Sequence, residues 1–448
     1  MIFNSDNNKN NYNIFFKNIT ISKALTINRM FYYKGTDIYQ MITTFEDFNA
    51  PELIKIEDIC LNHKFYKLIF KNINLSKIES FENLFYNCKS LGYLYFENIY
   101  APKVKKLESV FNSTYSFFCI NFTNINIPKV TSMKGLFKNK RIQQIYFQNI
   151  FSNSLLDISE MFKGAEIYFF YLSGLNTSKV KNMESMFESY STMTTPLDNK
   201  LNLSNLDTSS VTNMNKLFSN CISLKSLYIS NFNTSNVETM DYMFTNCKNI
   251  EFLNLSSFNT PKLVSAQEMF KGCESLTSIN LGHFDASIIK NMKGFFSTCS
   301  KLIYIDLSNI AANNIENMNE MFYKCTQLKS LNLLKFVTKN VKDFSKMFCE
   351  CYNLESIQIN NFSTFSATGN AFEKMFYQCQ NLKSFDLSKF ETYNVTSMNQ
   401  MFYNCYKIEE LNLENFNTMS VTDIQQMFSG CKKITSLDLS NFDTSKVL

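Results

Sequence analysis

Nine cysteines, Cys221, Cys247, Cys273, Cys299, Cys325, Cys351, Cys379, Cys405 and Cys431, recur every 26 residues with one step of 28. Thiols at a fixed spacing can ligate a metal, pair as disulfides or act as nucleophiles. Metal sites want closely spaced pairs, and the one close pair here is Cys349-Glu350-Cys351. Stacked cysteines one repeat apart point in parallel, the wrong direction for bridging. The total of 13, an odd number, fits free thiols. The spacing therefore predicts a column of buried thiols filling one corner of each repeat, with no metal and no cofactor. The two histidines, His63 and His283, fall in different repeats. No nucleophile elbow, phosphate loop or metal motif accompanies them, so no catalytic residue is assigned and no enzyme is expected.

A second set of residues bears on binding. Each repeat carries a short alternating segment whose outward position reads Tyr228, Asn254, Asn280, Asp306, Asn332, Gln358, Asp386, Asn412 and Asp438. Beside it runs a serine column broken by Phe252, Tyr304 and Glu410. Stacked repeats would join these into one face, the usual binding surface of solenoids. Phe252 and Tyr304 are the candidate anchors, because aromatics dominate interface hot spots. The plainer alternative is that amides and hydroxyls solvate and tie neighbouring layers.

The elements that would hold these residues follow from one unit. Leu227-Tyr228-Ile229 alternates in a way that suits a strand. Val237, Met240, Met243, Phe244 and Cys247 then fall at spacings of 3, 3, 1 and 3, which predicts one face of a short helix. Pro51, Pro102, Pro128 and Pro261 occupy the slot filled elsewhere by Ser, as at the first position of a helix, and Thr in the slot before (Thr234, Thr392) reads as its N-cap. Sixteen such anchors run from Phe31 and Cys60 through Phe85, Phe244 and Phe402 to Phe428. The fold class expected is thus an α/β repeat solenoid with one strand and one helix per repeat of about 26 residues. Residues 1–190 read as degenerate repeats of that solenoid, 191–200 as an insertion and candidate bend, and 201–448 as regular repeats with the last incomplete. A second insertion, around Thr368-Gly369-Asn370, accounts for the 28-residue step. Because the chain stops just after a turn, at Val447-Leu448, either further repeats follow or the open edge meets a partner end to end.

Composition narrows the partners. Hydrophobic residues make up 45% and charged residues 19%, a globular balance. Net charge is +5, but arginine occurs only as Arg29 and Arg141. Arginine is the preferred reader of phosphates and bases, so nucleic acid is not an expected partner. No apolar run is long enough for a membrane-spanning helix, and the N-terminus lacks the pattern of a signal peptide.

The phrase Leu328-Lys329-Ser330-Leu331-Asn332-Leu333 resembles the strand segment of leucine-rich repeats. Met321-Phe322-Tyr323-Lys324-Cys325-Thr326-Gln327-Leu328 and Asn441-Phe442-Asp443-Thr444-Ser445-Lys446-Val447 are similar to the phrases of the BspA-like leucine-rich repeat surface proteins, over residues 200–448 most strongly. The resemblance implies a non-enzymatic protein- or glycan-binding adhesin at the cell surface, with a protein or cell-surface ligand. The absence of a read export signal leaves the compartment open. The other function class is an intracellular structural scaffold that assembles end to end.

Overall fold

The structure, a computed structural model, describes all residues except 1–2, 6–10, 29, 31–39, 60–63, 87, 89, 193–199, 309 and 448. The anchors Phe31 and Cys60, the residue His63 and most of the 191–200 insertion lie outside the described residues. The chain divides into two compact units, Met1–Val211 and Thr212–Leu448.

The first unit contains β1 (Phe3–Ser5), β2 (Asn11–Lys17), β3 (Thr26–Asn28), β4 (Gln40–Glu46), β5 (Lys55–Glu57) and β6 (Lys64–Asn74). It continues through β7 (Ser90–Tyr100), β8 (Ser116–Asn126), β9 (Arg141–Phe151), β10 (Glu166–Tyr171), β11 (Ser191–Thr192) and β12 (Lys200–Asn202). One sheet runs β1-β2-β4-β6-β7-β8-β9-β10-β11, and β3 pairs with β5. Pairing is parallel from β2 onward, while β1 joins β2 antiparallel. The register holds one repeat apart: Leu68, Leu94, Ile120 and Ile145 stand opposite one another, all fully buried. Asn72, Asn98, Asn124 and Asn149 bend each long strand at φ between 52° and 57°. Asparagine tolerates this left-handed geometry better than other side chains with a Cβ. Their amides form a ladder, each Nδ2 donating to the Oδ1 one layer below at 2.8–2.9 Å.

The second unit carries β13 (Ser226–Tyr228), β14 (Phe252–Asn254), β15 (Ser278–Asn280), β16 (Ser330–Asn332) and β17 (Ser356–Gln358). β14 pairs in parallel with β15, and β16 with β17. The equivalent segments at 304–306, 384–386, 410–412 and 436–438 do not form strands.

The expected helix is not there: no described residue is helical. Its place is taken by a run of tight turns. In the layer ending at Cys247, the N–H groups of Met243, Thr245 and Cys247 donate three residues back, at 3.1–3.2 Å. Those of Met240, Tyr242, Phe244 and Asn246 donate instead to carbonyls of the next layer, at 2.7–3.1 Å. Tyr242 and Asn246 take φ of 59° and 57°, which lets the chain turn again each time. The reason is spacing. Parallel strands repeat every ~4.8 Å, whereas a helix with its side chains is about 10 Å across. One helix per layer does not fit a flat stack, and stacked turns do.

The threonine expected to cap that helix has another task. Thr234 is fully buried; its Oγ1 donates to the Asn259 carbonyl at 2.8 Å and accepts the Asn259 N–H at 2.9 Å. Thr260, Thr364, Thr392 and Thr418 clamp the following layer in the same way. The prolines stand at the second position of a β-turn, as where Leu263 N–H donates to the Thr260 carbonyl across Pro261 at 3.1 Å. The two extra residues near Gly369 are absorbed in the same wall, with Gly369 at φ 60°.

The core is a set of columns. Phe85, Phe111, Phe137, Phe162 and Phe187 stack at 5.4–5.5 Å between ring centroids in the first unit. Phe218, Phe244, Phe270, Phe296 and Phe322 do so at 5.3–5.8 Å in the second. The methionines beside them, such as Met240 and Met243, are fully buried, as their spacing predicts for core residues.

Candidate functional site

The thiol column is built into the core. The Cys247 thiol donates to the Phe218 carbonyl at 3.1 Å, and Cys299, Cys325, Cys351 and Cys405 repeat the bond with the Phe one layer below. Burial pushes these thiols up: Cys325 and Cys349 to about 12, and Cys247, Cys273, Cys299, Cys351, Cys379 and Cys405 well above the ordinary value. A thiol held neutral is a poor nucleophile and a poor ligand. None of the described cysteines is in a disulfide, and no cluster of three metal-ligating side chains occurs among the described residues. His283 is exposed.

In the second unit the residues of the outward column are exposed, except Asn332, which is half-buried. The buried residue between each pair, such as Leu253 or Ile357, faces the core. Most of the Asx oxygens are already engaged. Asn254, Asn280, Asn332 and Asn412 each accept, through Oδ1, the backbone N–H two residues on, at 3.0–3.1 Å. Asp306, Asp386 and Asp438 do the same at 2.8–2.9 Å, onto Ser308, Ser388 and Ser440. These are Asx turns, which fix the bend leaving each extended segment. The hydroxyls and N–H groups of those serines hold the three carboxyls below their ordinary range. Tyr228 and Gln358, the two non-Asx members of the column, are exposed. The large apolar residues on this face stand out to solvent: Tyr228, Phe252 and Tyr304 are 49%, 53% and 60% exposed.

The first unit has an aromatic face that the sequence reading passed over. On the outer side of β7, Tyr93 and Tyr95 lie with parallel rings at 6.3 Å. Tyr66 and Phe118 pack against Tyr93 at 5.3 and 4.8 Å, and Tyr146 meets Tyr171 at 6.3 Å. Lys67 sets its Nζ 4.9 Å above the Tyr95 ring. Burial pushes the Tyr95 phenol up to about 12, with the neighbouring Cys119 thiol adding to it. The signal was present as alternation: Tyr93-Leu94-Tyr95, Gln144-Ile145-Tyr146 and Phe169-Phe170-Tyr171.

Parallel ladders and a one-repeat register define each unit as a leucine-rich-repeat-like parallel β-solenoid. The family model described as "Mycoplasma protein of unknown function, DUF285" matches residues 55–165, 105–206, 197–303, 272–371 and 370–448, and the chain belongs to that family. Its Phe-x-x-Cys-x-x-Leu phrase resembles that of the BspA-like leucine-rich repeat proteins. Similar solved structures include a leucine-rich repeat protein from Bacteroides ovatus, 16% identical, covering 96% of this chain and 91% of that one, with a TM-score of 0.35. Another is from Eubacterium ventriosum, 15% identical over 90% of this chain and 86% of that one, with a TM-score of 0.34. No curated protein matches the chain. Among the described residues no helix is long and apolar enough to cross a membrane.

Proposed function

We propose that the chain is a non-enzymatic binding scaffold of the adhesin type, taking a protein or glycan ligand on the strand face of its second unit. One observation carries this reading. Tyr228, Phe252 and Tyr304 expose about half or more of their surface on that face, while their chain neighbours Ile229, Leu253 and Ile305 are buried. Large exposed aromatics set among hydroxyls and amides are the composition of interface anchors. The Asx turns beneath them hold the backbone of the face in one geometry, which lowers the ordering cost of binding. The face thus offers the aromatic groups as contacts, with the Asx oxygens as its framework.

The test is binding of the purified chain to cell-surface extracts and glycan arrays, followed by Phe252→Ala/Tyr304→Ala on the ligand found. Loss of a hot-spot pair should weaken binding by tenfold or more, on the order of 2 kcal/mol. Full binding by the double variant, at unchanged melting temperature, sinks the strand-face reading.

A further inference from the structure

The first unit holds a partly open apolar cavity of about 110 Å³. Every side chain lining it is apolar. One wall is the ring stack Phe70, Phe96, Phe122 and Phe147, carried by β6 to β9 with centroids 5.1–5.3 Å apart. Leu84 and Val110 form part of the wall across from it. The lining reaches from Phe45 on β4 to Phe147 on β9, five adjacent strands or roughly 19 Å at the usual strand spacing. So small a volume over such a length is a narrow slot. Seven of its lining residues, Ile27, Met30, Phe70, Phe81, Phe96, Leu107 and Phe122, are only half-buried, so the slot meets solvent along its length.

The slot has a cause in the sequence. Relative to the phenylalanine that anchors each layer, the second unit places methionine at one or both of the positions four and one earlier, as Met240/Met243, Met318/Met321 and Phe344/Met347. Methionine is flexible and fills irregular gaps. The corresponding residues around the slot are Phe81/Leu84 and Leu107/Val110, which are stiffer or shorter. The lining ends near Met133 and Leu136; the next layers bring in Met161, Met183 and Met186.

We propose that this slot is a binding site for a linear aliphatic chain, such as the acyl tail of a fatty acid or lipid. An all-apolar cavity stays dry and gains by accepting hydrocarbon. A narrow slot admits a chain of methylenes and excludes fused rings. With no polar group in the lining, a charged headgroup stays outside, at the half-buried margin of the slot. The ligand is therefore amphiphilic, and its tail is what the protein recognises.

The full chain is titrated with the fluorescent fatty acid cis-parinaric acid, then challenged with palmitate or with cholesteryl hemisuccinate. Saturable uptake, displaced by palmitate and not by the sterol, is expected. The variant Leu84→Met/Val110→Met, which places the second unit's residues in the slot, should raise the half-saturation concentration about tenfold. Its melting temperature should be at or above the parent's. Absence of saturable uptake overturns the proposal, as does displacement by the sterol equal to that by palmitate. Unchanged uptake by a normally folded filled variant overturns it too. If that variant misfolds, the palmitate-against-sterol comparison on the parent chain decides alone.

Discussion

At the scale of single residues, the threonine column shows how a familiar side chain can be assigned to the wrong partner. Thr before the proline slot reads as a helix cap because a cap and an interlayer clamp use the same atom, Oγ1, toward backbone groups. The clamp is the stronger constraint here. Thr392 is fully buried, donates to the Asn417 carbonyl at 2.6 Å and accepts the Asn417 N–H at 2.7 Å. Thr392→Val keeps the shape and removes both bonds, leaving a donor and an acceptor without that partner. The expected loss is about 1–3 kcal/mol, read as a lower midpoint in urea unfolding. Thr392→Ser retains the hydroxyl and should lose less. Equal midpoints for parent and Val variant would show that the column does not hold the layers.

At the scale of elements, the repeat period was legible and the element type was not. The 26-residue cysteine spacing, the Phe anchors and the inward alternation of each strand all survive in the stack. Apolar spacings of 3, 3, 1 and 3 match a helical face, but they also match turns that return each third or fourth side chain to the core. Layer spacing decides between them, and it is a property of the assembled sheet. The aromatic face of the first unit was missed for a related reason: the reading followed the Phe anchors and did not weigh Tyr93 and Tyr95 on the opposite side. The turn wall also makes a prediction that a helix would not. Thr298 sits at φ 58°, where a β-branched residue is strained. Other layers place Asn246, Gly272, Asn404 or Gly430 there, also at positive φ. Thr298→Asn should therefore stabilise the chain by roughly 1 kcal/mol, seen as a higher melting temperature. In a helix the same change would be neutral to unfavourable, so a lower melting temperature counts against the turn wall.

At the scale of the whole molecule, the thiols couple stability to pH because so many respond alike. An unfolded cysteine ionises near pH 8.5. In the folded chain burial raises Cys325 and Cys349 to about 12 and the half-buried Cys431 to about 11. Between those limits the folded state holds protons that the unfolded state has released, so stability must fall as pH rises. The contribution is fully present below about pH 8.5 and is lost progressively toward pH 12. Layers of both units take part, since Cys119 in the first and Cys247 in the second are raised by the same burial. The melting temperature should then be level across neutral pH and drop steeply between about pH 9 and 11. Lysine and tyrosine titrate in that range as well, so the thiol share needs its own control. Cys325→Ala removes one buried thiol and the bond it donates to Phe296 at 3.1 Å, lowering stability at neutral pH. Its melting temperature should nevertheless fall less with rising pH than the parent's, and the two curves should converge. Parallel curves would mean that the thiols ionise alike in the folded and unfolded chain, and that the column is not the sealed core its hydrogen bonds describe.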